Sequence, residues 1–167
     1  TGVDLGNLKN QIGVINVPQM VLIDTQYLET LSQSEMRSGL AEMLKHGLIF
    51  DAPYWRQFSD LKSIIFDDLD ELIYRSVEIK NEIVIQDPTE KNIRKALNFG
   101  HTLGHAIESY FLESDTKTTL LHGEAIAVGM ILESYISLHK NLISEEEYRE
   151  IKTVIKGIYD DVIFEEN

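Results

Sequence analysis

Cysteine is absent from the 167-residue sequence, which excludes a disulfide framework, a thiolate zinc knuckle and a cysteine nucleophile. Any metal site must therefore use histidine, aspartate and glutamate. No apolar run approaches the roughly 20 residues that span a bilayer. The first residues also lack the basic start and apolar stretch of a signal peptide. We therefore expect a cytoplasmic protein with no membrane partner.

Positive charge is also scarce. The sequence has 15 lysines and arginines against 28 aspartates and glutamates, which gives a formal net charge of −13. A nucleic-acid backbone would repel such a protein, so we expect no nucleic-acid partner, although a local pocket for a small anion is compatible with this charge. The length is sufficient for one domain with a proper core.

Helical patterns dominate the sequence after Asp24. Strand-like residues are confined to positions 12–17 and 20–23. The predicted helices cover residues 35–50, 67–86, 99–112, 120–140 and, after a Ser144 cap, the residues up to about 159. The sequence predicts one mainly α-helical, bundle-like domain over residues 1–167, with residues 1–24 as a short extended β lead-in. Because it starts at Thr1 in a turn-like stretch, we expect it to be part of a longer protein.

Two histidines stand out in the third predicted helix. His101 and His105 are four residues apart, so both imidazoles lie on one helix face, where they suit a metal or a shared anion. Gly100 and Gly104 each weaken a helix by about 1 kcal/mol relative to alanine, which indicates close approach of another helix or a ligand. Two purely structural histidines are the alternative interpretation.

Two further segments carry candidate residues. His122 lies near the predicted start of a long apolar helix, where backbone N–H groups favour negative charge; simple helix capping is the alternative. Glu42 and Lys45 are three residues apart, which alone predicts only an exposed salt bridge worth about 0.2–0.5 kcal/mol.

Lys80 interrupts an otherwise apolar helix stripe formed by Ile73, Val77 and Val84. It is either a lysine whose stem packs while its amine reaches water, or a buried cation that awaits an anion. Arg94 and Asn98 precede the histidine helix and are candidates for the same anion pocket.

Together, Glu42, His101 and His122 offer three ligands from three helices, the number typical of a catalytic zinc with an open fourth position. Cations and donors for an anionic substrate are available at Lys45, Lys80, Arg94, Asn98 and His105. The residues alone therefore indicate a metal-assisted enzyme, but spacing leaves open whether the three ligands converge.

Three segments resemble the 3-dehydroquinate synthase family: residues 39–47 (GLAEMLKHG), 97–106 (LNFGHTLGHA) and 122–130 (HGEAIAVGM). Residues 9–13 of the lead-in are also similar. The resemblance implies conversion of 3-deoxy-D-arabino-heptulosonate 7-phosphate, a phosphorylated sugar acid, to 3-dehydroquinate and phosphate, a lyase step of the shikimate pathway to aromatic amino acids. It further implies a divalent metal (zinc or cobalt), NAD, a homodimer, and an N-terminal NAD-binding domain of the same protein as partner.

The resemblance also implies roles for individual residues. It implies metal ligation by Glu42, His101 and His122. The implied substrate-binding residues are Asn10, Lys80, Arg94, Asn98 and His105, and the implied catalytic residues are Lys45, Lys80 and His105. By chemistry, Lys80 and Arg94 suit the substrate carboxylate, Asn98 and His105 suit the phosphate, and Lys45 suits the hydroxyls.

The sequence contains no dinucleotide-binding glycine fingerprint, so we expect no cofactor-binding residues for NAD here and no turnover by these residues alone. Asn92 stands where the family has glycine, a change that asparagine tolerates because it adopts left-handed backbone conformations. Three alternatives remain open: a 2-deoxy-scyllo-inosose synthase-like cyclase, a glycerol or iron-type alcohol dehydrogenase domain, and a non-enzymatic helical module that binds no zinc.

Overall fold

The computed structural model describes residues 2–5, 8–14, 16, 18–59, 69–112 and 120–162. In these residues the chain is mainly α-helical, which confirms the predicted fold class. The elements are β1 (Gly2–Leu5), β2 (Leu8–Gly13), α1 (Gln33–Phe50), α2 (Ala52–Ser59), α3 (Leu69–Gln86), α4 (His101–Leu112), α5 (His122–His139) and α6 (Glu145–Ile158). Among the described connections, residues Thr25–Thr30 and Ile93–Asn98 form 3-10 helices.

The N-terminal strands form an antiparallel hairpin in which Val3 is opposite Ile12 and Leu5 is opposite Leu8. The side chains of Val3, Leu5 and Ile12 are all exposed. The strand predicted over residues 12–17 shares only its first two residues with β2, because β2 ends at Gly13.

The second strand prediction, over residues 20–23, is wrong, because this segment forms no strand in the structure. Met20 and Leu22 are about four-fifths exposed, at 78% and 83%. Strand propensity measures how well a side chain packs on a pleated surface, and among the described residues no neighbouring strand pairs with this segment.

Local polar contacts explain the helix boundaries. Ser32 caps α1 by accepting a hydrogen bond from the Glu35 N–H at 3.2 Å, and α1 begins at Gln33, two residues before the predicted start at residue 35. The predicted Ser144 cap is present at α6, where it forms a capping box with Glu147. The predicted start of α3 at residue 67 lies outside the described residues.

Helix α2 was not predicted. Asp51 ends α1, and its carboxylate also accepts a hydrogen bond from the Tyr54 N–H at 2.9 Å, so it caps the next helix. Pro53 is tolerated because a first helical turn needs no N–H donor from it.

Helix α5 lies at the centre of the fold and packs against α1, α4 and α6. Its side chains Ile126 and Met130 are fully buried against Leu44 of α1 and Ile155 of α6, among others. On the other side of α1, the core continues through α2 and α3. None of the described helices has the length and apolar character needed to cross a membrane.

Candidate metal centre

Three helices bring the predicted ligands together. His101 is the first residue of α4, His122 is the first residue of α5, and Glu42 lies in the middle of α1. One ligand atom from each side chain lies within 4.8 Å of the other two. The three side chains therefore converge, which their spacing in the sequence could not establish. Metal ligation by them stays a prediction.

Glycines allow the close helix packing that produces this convergence. A Cβ atom added at Gly129 of α5 would lie 2.0 Å from the Gly100 carbonyl oxygen, just before His101. A Cβ atom added at Gly123 would lie 2.1 Å from the Ser38 carbonyl oxygen of α1. The close approach that the glycines predicted is thus one of helix against helix.

Side chains of neighbouring helices cap both histidine-bearing helix ends. The Glu133 carboxylate of α5 accepts a hydrogen bond from the Gly100 N–H at 2.9 Å, at the start of α4. The Ser38 hydroxyl of α1 accepts one from the Gly123 N–H at 3.0 Å, at the start of α5. Because these donors have no partner within their own helix, the two contacts fix His101 and His122 relative to α5 and α1.

Glu42 lies between a histidine and a buried lysine. Its Oε1 is 3.2 Å from His101 Nε2, and its Oε2 accepts a hydrogen bond from Lys45 Nζ at 2.6 Å. Burial opposes ionisation of Glu42, but the His101 contact and the Lys45 charge together outweigh it and lower its pKa to about 2. The carboxylate is therefore ionised and available to a cation at neutral pH.

Lys45 is almost fully buried, with 3% of the residue exposed. Burial lowers the pKa of its amine, and the charge of Lys80 acts in the same direction, while Glu42 acts against both. The sequence alone favoured an exposed salt bridge for Glu42 and Lys45; the structure shows a buried amine beside the candidate metal group.

The donor set fits a zinc ion. His101 lies between two acceptors: the Phe99 carbonyl is 3.2 Å from Nδ1, and Glu42 Oε1 is 3.2 Å from Nε2. A neutral ring carries only one proton, so one of its nitrogens then faces an acceptor with a lone pair. Two facing acceptors are stable when the ring is protonated or a cation lies between them. In a tetrahedral zinc site with bonds of about 2.0–2.1 Å, neighbouring ligand atoms are about 3.3 Å apart, close to the observed 3.2 Å.

His105 lies beside the metal group. Its ring centroid is 5.3 Å from that of His101 and 5.4 Å from that of His122. Its Nδ1 is 3.2 Å from Glu108 Oε2, and the same oxygen lies 3.4 Å from His122 Nδ1. The predicted substrate residue His105 is thus joined to a predicted metal ligand through Glu108.

Lys80 lies on the exposed face of α3, which corrects the interpretation of an interrupted apolar face. Val77 of the supposed stripe is 45% exposed, whereas the buried face of α3 runs through Leu72, Ile79 and Ile83. The predicted apolar stripe lies on the wrong face of α3: the fully buried residue is Ile79, one position before Lys80. Lys80 still lies close enough to influence the Lys45 amine.

Arg94 and Asn98 share an acidic partner in the loop after α3. Asn98 Nδ2 donates to Glu90 Oε1 at 2.8 Å, and Arg94 Nε lies 3.8 Å from Glu90 Oε2. The buried Asp87 carboxylate accepts hydrogen bonds from three backbone N–H groups, those of Lys91, Asn92 and Arg94, and so holds the loop. Arg94 Nη1 also donates to the Pro88 carbonyl at 3.0 Å. The contacts of the two predicted substrate residues are thus to the loop after α3 rather than to the histidines.

Asn10 lies in β2, and its side chain falls outside the described residues. Sequence reasoning gave no role to four residues that organise the site: Ser38, Glu90, Glu108 and Glu133. Glu108 and Glu90 had a usable signal, because they are three residues from His105 and four from Arg94. Ser38 and Glu133 had none, since they act on residues 85 and 33 positions away.

Comparison with protein families gives two adjacent matches. The 3-dehydroquinate synthase N-terminal model matches residues 1–38, and the 3-dehydroquinate synthase C-terminal model matches residues 39–165. The second match contains the Glu42, His101 and His122 group.

Curated relatives agree with these matches. The chain is 44% identical over 147 residues to the 3-dehydroquinate synthase of Streptococcus pyogenes serotype M49 (strain NZ131), covering 87% of this chain and 40% of that protein. It is 40% identical over 166 residues to the 3-dehydroquinate synthase of Helicobacter pylori (strain G27), covering 98% of this chain and 46% of that protein. The chain therefore spans less than half the length of these relatives.

A solved structure shares the fold. ValA (2-epi-5-epi-valiolone synthase) from Streptomyces hygroscopicus subsp. jinggangensis 5008, with NAD+ and Zn2+ bound, superposes with a TM-score of 0.78 at 28% identity. The match covers 98% of this chain and 46% of the ValA chain. With family models that together match residues 1–165, this chain belongs to the 3-dehydroquinate synthase family.

Proposed function

We propose that this chain forms the metal- and substrate-binding part of a 3-dehydroquinate synthase. The proposed reaction converts 3-deoxy-D-arabino-heptulosonate 7-phosphate to 3-dehydroquinate and phosphate, in the shikimate pathway. The observation that carries the proposal is the convergence of Glu42, His101 and His122 from three helices to within 4.8 Å. Curated relatives at 40–44% identity with that activity support it.

The proposed metal is zinc, or cobalt in its place. Glu42 would bind it as an ionised carboxylate, and His101 would bind it through Nε2, since Nδ1 faces the Phe99 carbonyl. When bound, the metal polarises substrate hydroxyl and carbonyl oxygens and lowers the pKa of a hydroxyl. With three protein ligands, a tetrahedral ion keeps one position for the substrate.

The cations around this group would bind the rest of the substrate. The Lys45 amine lies next to Glu42, and we propose it for the hydroxyls of a metal-bound sugar. Lys80 and Arg94 are proposed for the carboxylate, which a guanidinium can bind through two hydrogen bonds. Asn98 and His105 are proposed for the phosphate, and Asn10 for a further substrate contact. Lys45, Lys80 and His105 are the proposed catalytic residues.

NAD is proposed to bind largely outside these residues, in an N-terminal domain of the same protein. The ValA structure holds NAD+ and Zn2+, and this chain matches less than half of it. A homodimer and a cytoplasmic location also stay proposals. So does the expected inactivity of the 167 residues alone, which a steady-state assay with added NAD and substrate would test; turnover near that of a curated relative would contradict it.

Zinc binding is the decisive experiment. Purified chain is compared with the His101→Ala/His122→Ala double variant and with His139→Ala, which removes an exposed histidine at the far end of α5. We expect about one zinc per chain in the wild type and in His139→Ala, and none in the double variant. Equal zinc content in all three proteins would show that the three side chains do not form the site.

A second candidate is a cyclase for a different sugar phosphate, since ValA shares the fold and its structure contains the same metal and NAD. Such an enzyme would need no carboxylate-binding pair, so Arg94 and Lys80 favour the dehydroquinate reaction. A substrate panel, assayed on the longest available form of the protein, separates the two. A 2-deoxy-scyllo-inosose synthase-like cyclase and a polyol or iron-type alcohol dehydrogenase are tested in the same panel.

A further inference from the structure

Glu108 has a position that the proposed reaction does not use. It lies in the second turn of α4, and only 9% of its side chain is exposed. Its Oε2 atom is 3.2 Å from His105 Nδ1 and 3.4 Å from His122 Nδ1. The two imidazoles are stacked, with planes 29° apart, and each is nearly half exposed on its other side. One buried oxygen therefore faces the same nitrogen of two histidines from two helices.

The chemistry of these atoms constrains the protons. An ionised carboxylate only accepts hydrogen bonds, so each contact is favourable when Nδ1 carries a proton. A neutral imidazole protonated at Nδ1 has its lone pair on Nε2. A buried carboxylate is costly without partners, and the two N–H donors supply them. For neutral rings, one state satisfies both contacts: each ring is protonated at Nδ1, and each Nε2 atom has a free lone pair.

We propose that Glu108 is a positioning residue that sets the tautomers of His105 and His122 through this one oxygen. Metal-binding histidines commonly donate their second ring N–H to a carboxylate or a carbonyl, which orients the ring and strengthens it as a ligand. The Phe99 carbonyl serves His101 in this way, and Glu108 serves His122.

Glu108 also contacts His105, which lies outside the metal group. This contact leaves Nε2 of His105 free, so one carboxylate orients both a proposed metal ligand and a proposed substrate residue. The part that concerns the metal rests on the proposed function, whereas the part that concerns the tautomers does not.

The first test needs neither metal nor substitution. Long-range 1H–15N NMR of the metal-free chain, at mildly alkaline pH, distinguishes the two neutral tautomers of each histidine. We expect His105 and His122 to be mainly protonated at Nδ1, although free histidine prefers the proton on Nε2. The exposed His139 is the internal reference, because its ring packs beside Tyr135 rather than a carboxylate. Mainly Nε2–H tautomers at both His105 and His122 would overturn the proposal.

The second test compares Glu108→Gln with Glu82→Gln, a matched change at an exposed glutamate of α3. In Glu108→Gln, the amide oxygen can take the place of Oε2 and face both Nδ1 atoms, but it carries no negative charge and is a weaker acceptor. We therefore expect a smaller fraction of the Nδ1–H tautomer at both rings in the metal-free protein, and a zinc affinity, measured by chelator competition, that falls about 10- to 100-fold. Glu82→Gln should change neither quantity, and circular dichroism should show the same helical content in all three proteins.

The outcomes separate this proposal from the function above. If His101→Ala abolishes zinc binding while Glu108→Gln changes neither affinity nor tautomers, Glu108 has no positioning role and the metal site stands. If His101→Ala has no effect on zinc, the metal site fails, and the tautomers still decide the role of Glu108. If the wild type binds two zinc ions and Glu108→Gln loses only one, Glu108 is itself a ligand and the proposal is wrong. Should Glu108→Gln fail to fold, the wild-type tautomers alone remain decisive.

Discussion

The two halves of the candidate site are held in place by different kinds of contact. Glu42, His101 and His122 sit on helices whose backbones touch, with glycines at the closest points and caps that cross between helices. Arg94 and Asn98 instead lie in a connection and are held through Glu90, with side chains that reach solvent. The metal half (Glu42, His101 and His122) is therefore fixed by helix packing, whereas the anion half (Arg94 and Asn98) is held by polar side-chain contacts that an external anion can replace.

The largest expected effect comes from breaking the packed half at Gly129. A Cβ atom at this position would lie 2.0 Å from the Gly100 carbonyl oxygen and 2.8 Å from the Gly104 nitrogen. Both are backbone atoms, so α4 must move as a whole. We expect Gly129→Ala to lower the free energy of unfolding by about 3 kcal/mol, at the upper end of overpacking costs, and to weaken zinc binding.

Gly39→Ala is the matched control for this variant. Gly39 is also a helical glycine, but a Cβ atom there meets nothing within 4 Å. Alanine should stabilise α1 at this position by up to about 1 kcal/mol. Chemical denaturation of both variants checks the comparison. Equal free energies of unfolding would show that α4 and α5 can move apart without loss of stability.

A buried histidine in the helical core should affect stability about as strongly as Gly129→Ala does. His46 of α1 is 3% exposed and pairs through Nδ1 with Ser76 Oγ at 2.7 Å. Burial is the main cause that lowers its pKa from 6.5 to about 4; the charge of Lys45 adds to this effect and that of Glu42 opposes it. Between these two pH values the unfolded chain binds more protons than the folded chain, so stability falls as the pH falls.

We expect His46 to contribute about 3 kcal/mol to that loss at most, and His46→Gln to remove this part of the slope. Denaturation curves measured from pH 7 to pH 4 provide the check. His139→Gln is the control, since it removes an exposed histidine from the same chain and should leave the slope unchanged. Identical slopes in the wild type and His46→Gln would mean that folded His46 takes up its proton as easily as in the unfolded chain.

The contrast between the halves also explains what the sequence could predict. Most helix spans were predictable, because the 3.6-residue period and the caps are local signals, but α2 was not. The structure shows that Glu42, His101 and His122 lie close together, while metal ligation by them stays a prediction. The strand expected at residues 20–23 failed because a strand depends on a partner that the sequence of one segment does not reveal. Lys80 was assigned to the wrong face of α3, because a shift of one residue, from Lys80 to Ile79, changes which face is buried. Packing against α1 determines that face, and the sequence of α3 alone does not show it.

Caps that cross between helices provide a finer test of the packed half. Ser38 accepts a hydrogen bond from the Gly123 N–H beside His122, whereas Ser32 caps its own helix α1 through the Glu35 N–H. Ser38→Ala and Ser32→Ala should each cost about 1 kcal/mol of stability. Only Ser38→Ala should also weaken zinc binding, because it loosens the end of α5 that carries His122. Chelator competition on both variants decides; equal zinc affinities would mean that the cap does not fix the ligand.

The smallest expected change in stability comes from the anion half. Glu90→Gln removes the carboxylate that Arg94 and Asn98 share, and since this exposed ion pair is long, at 3.8 Å, stability should change by no more than about 0.5 kcal/mol. Zinc affinity should not change. Affinity for inorganic phosphate, followed by NMR titration of the Arg94 and Asn98 side chains, should rise because these donors no longer compete with an internal anion. Glu78→Gln, which weakens another exposed arginine pair on α3, serves as the control and should leave phosphate binding unaltered. A fall in phosphate affinity with Glu90→Gln would show the opposite order of events: Glu90 would then be needed to hold Arg94 and Asn98 in a binding position, and the anion half would be as preorganised as the metal half.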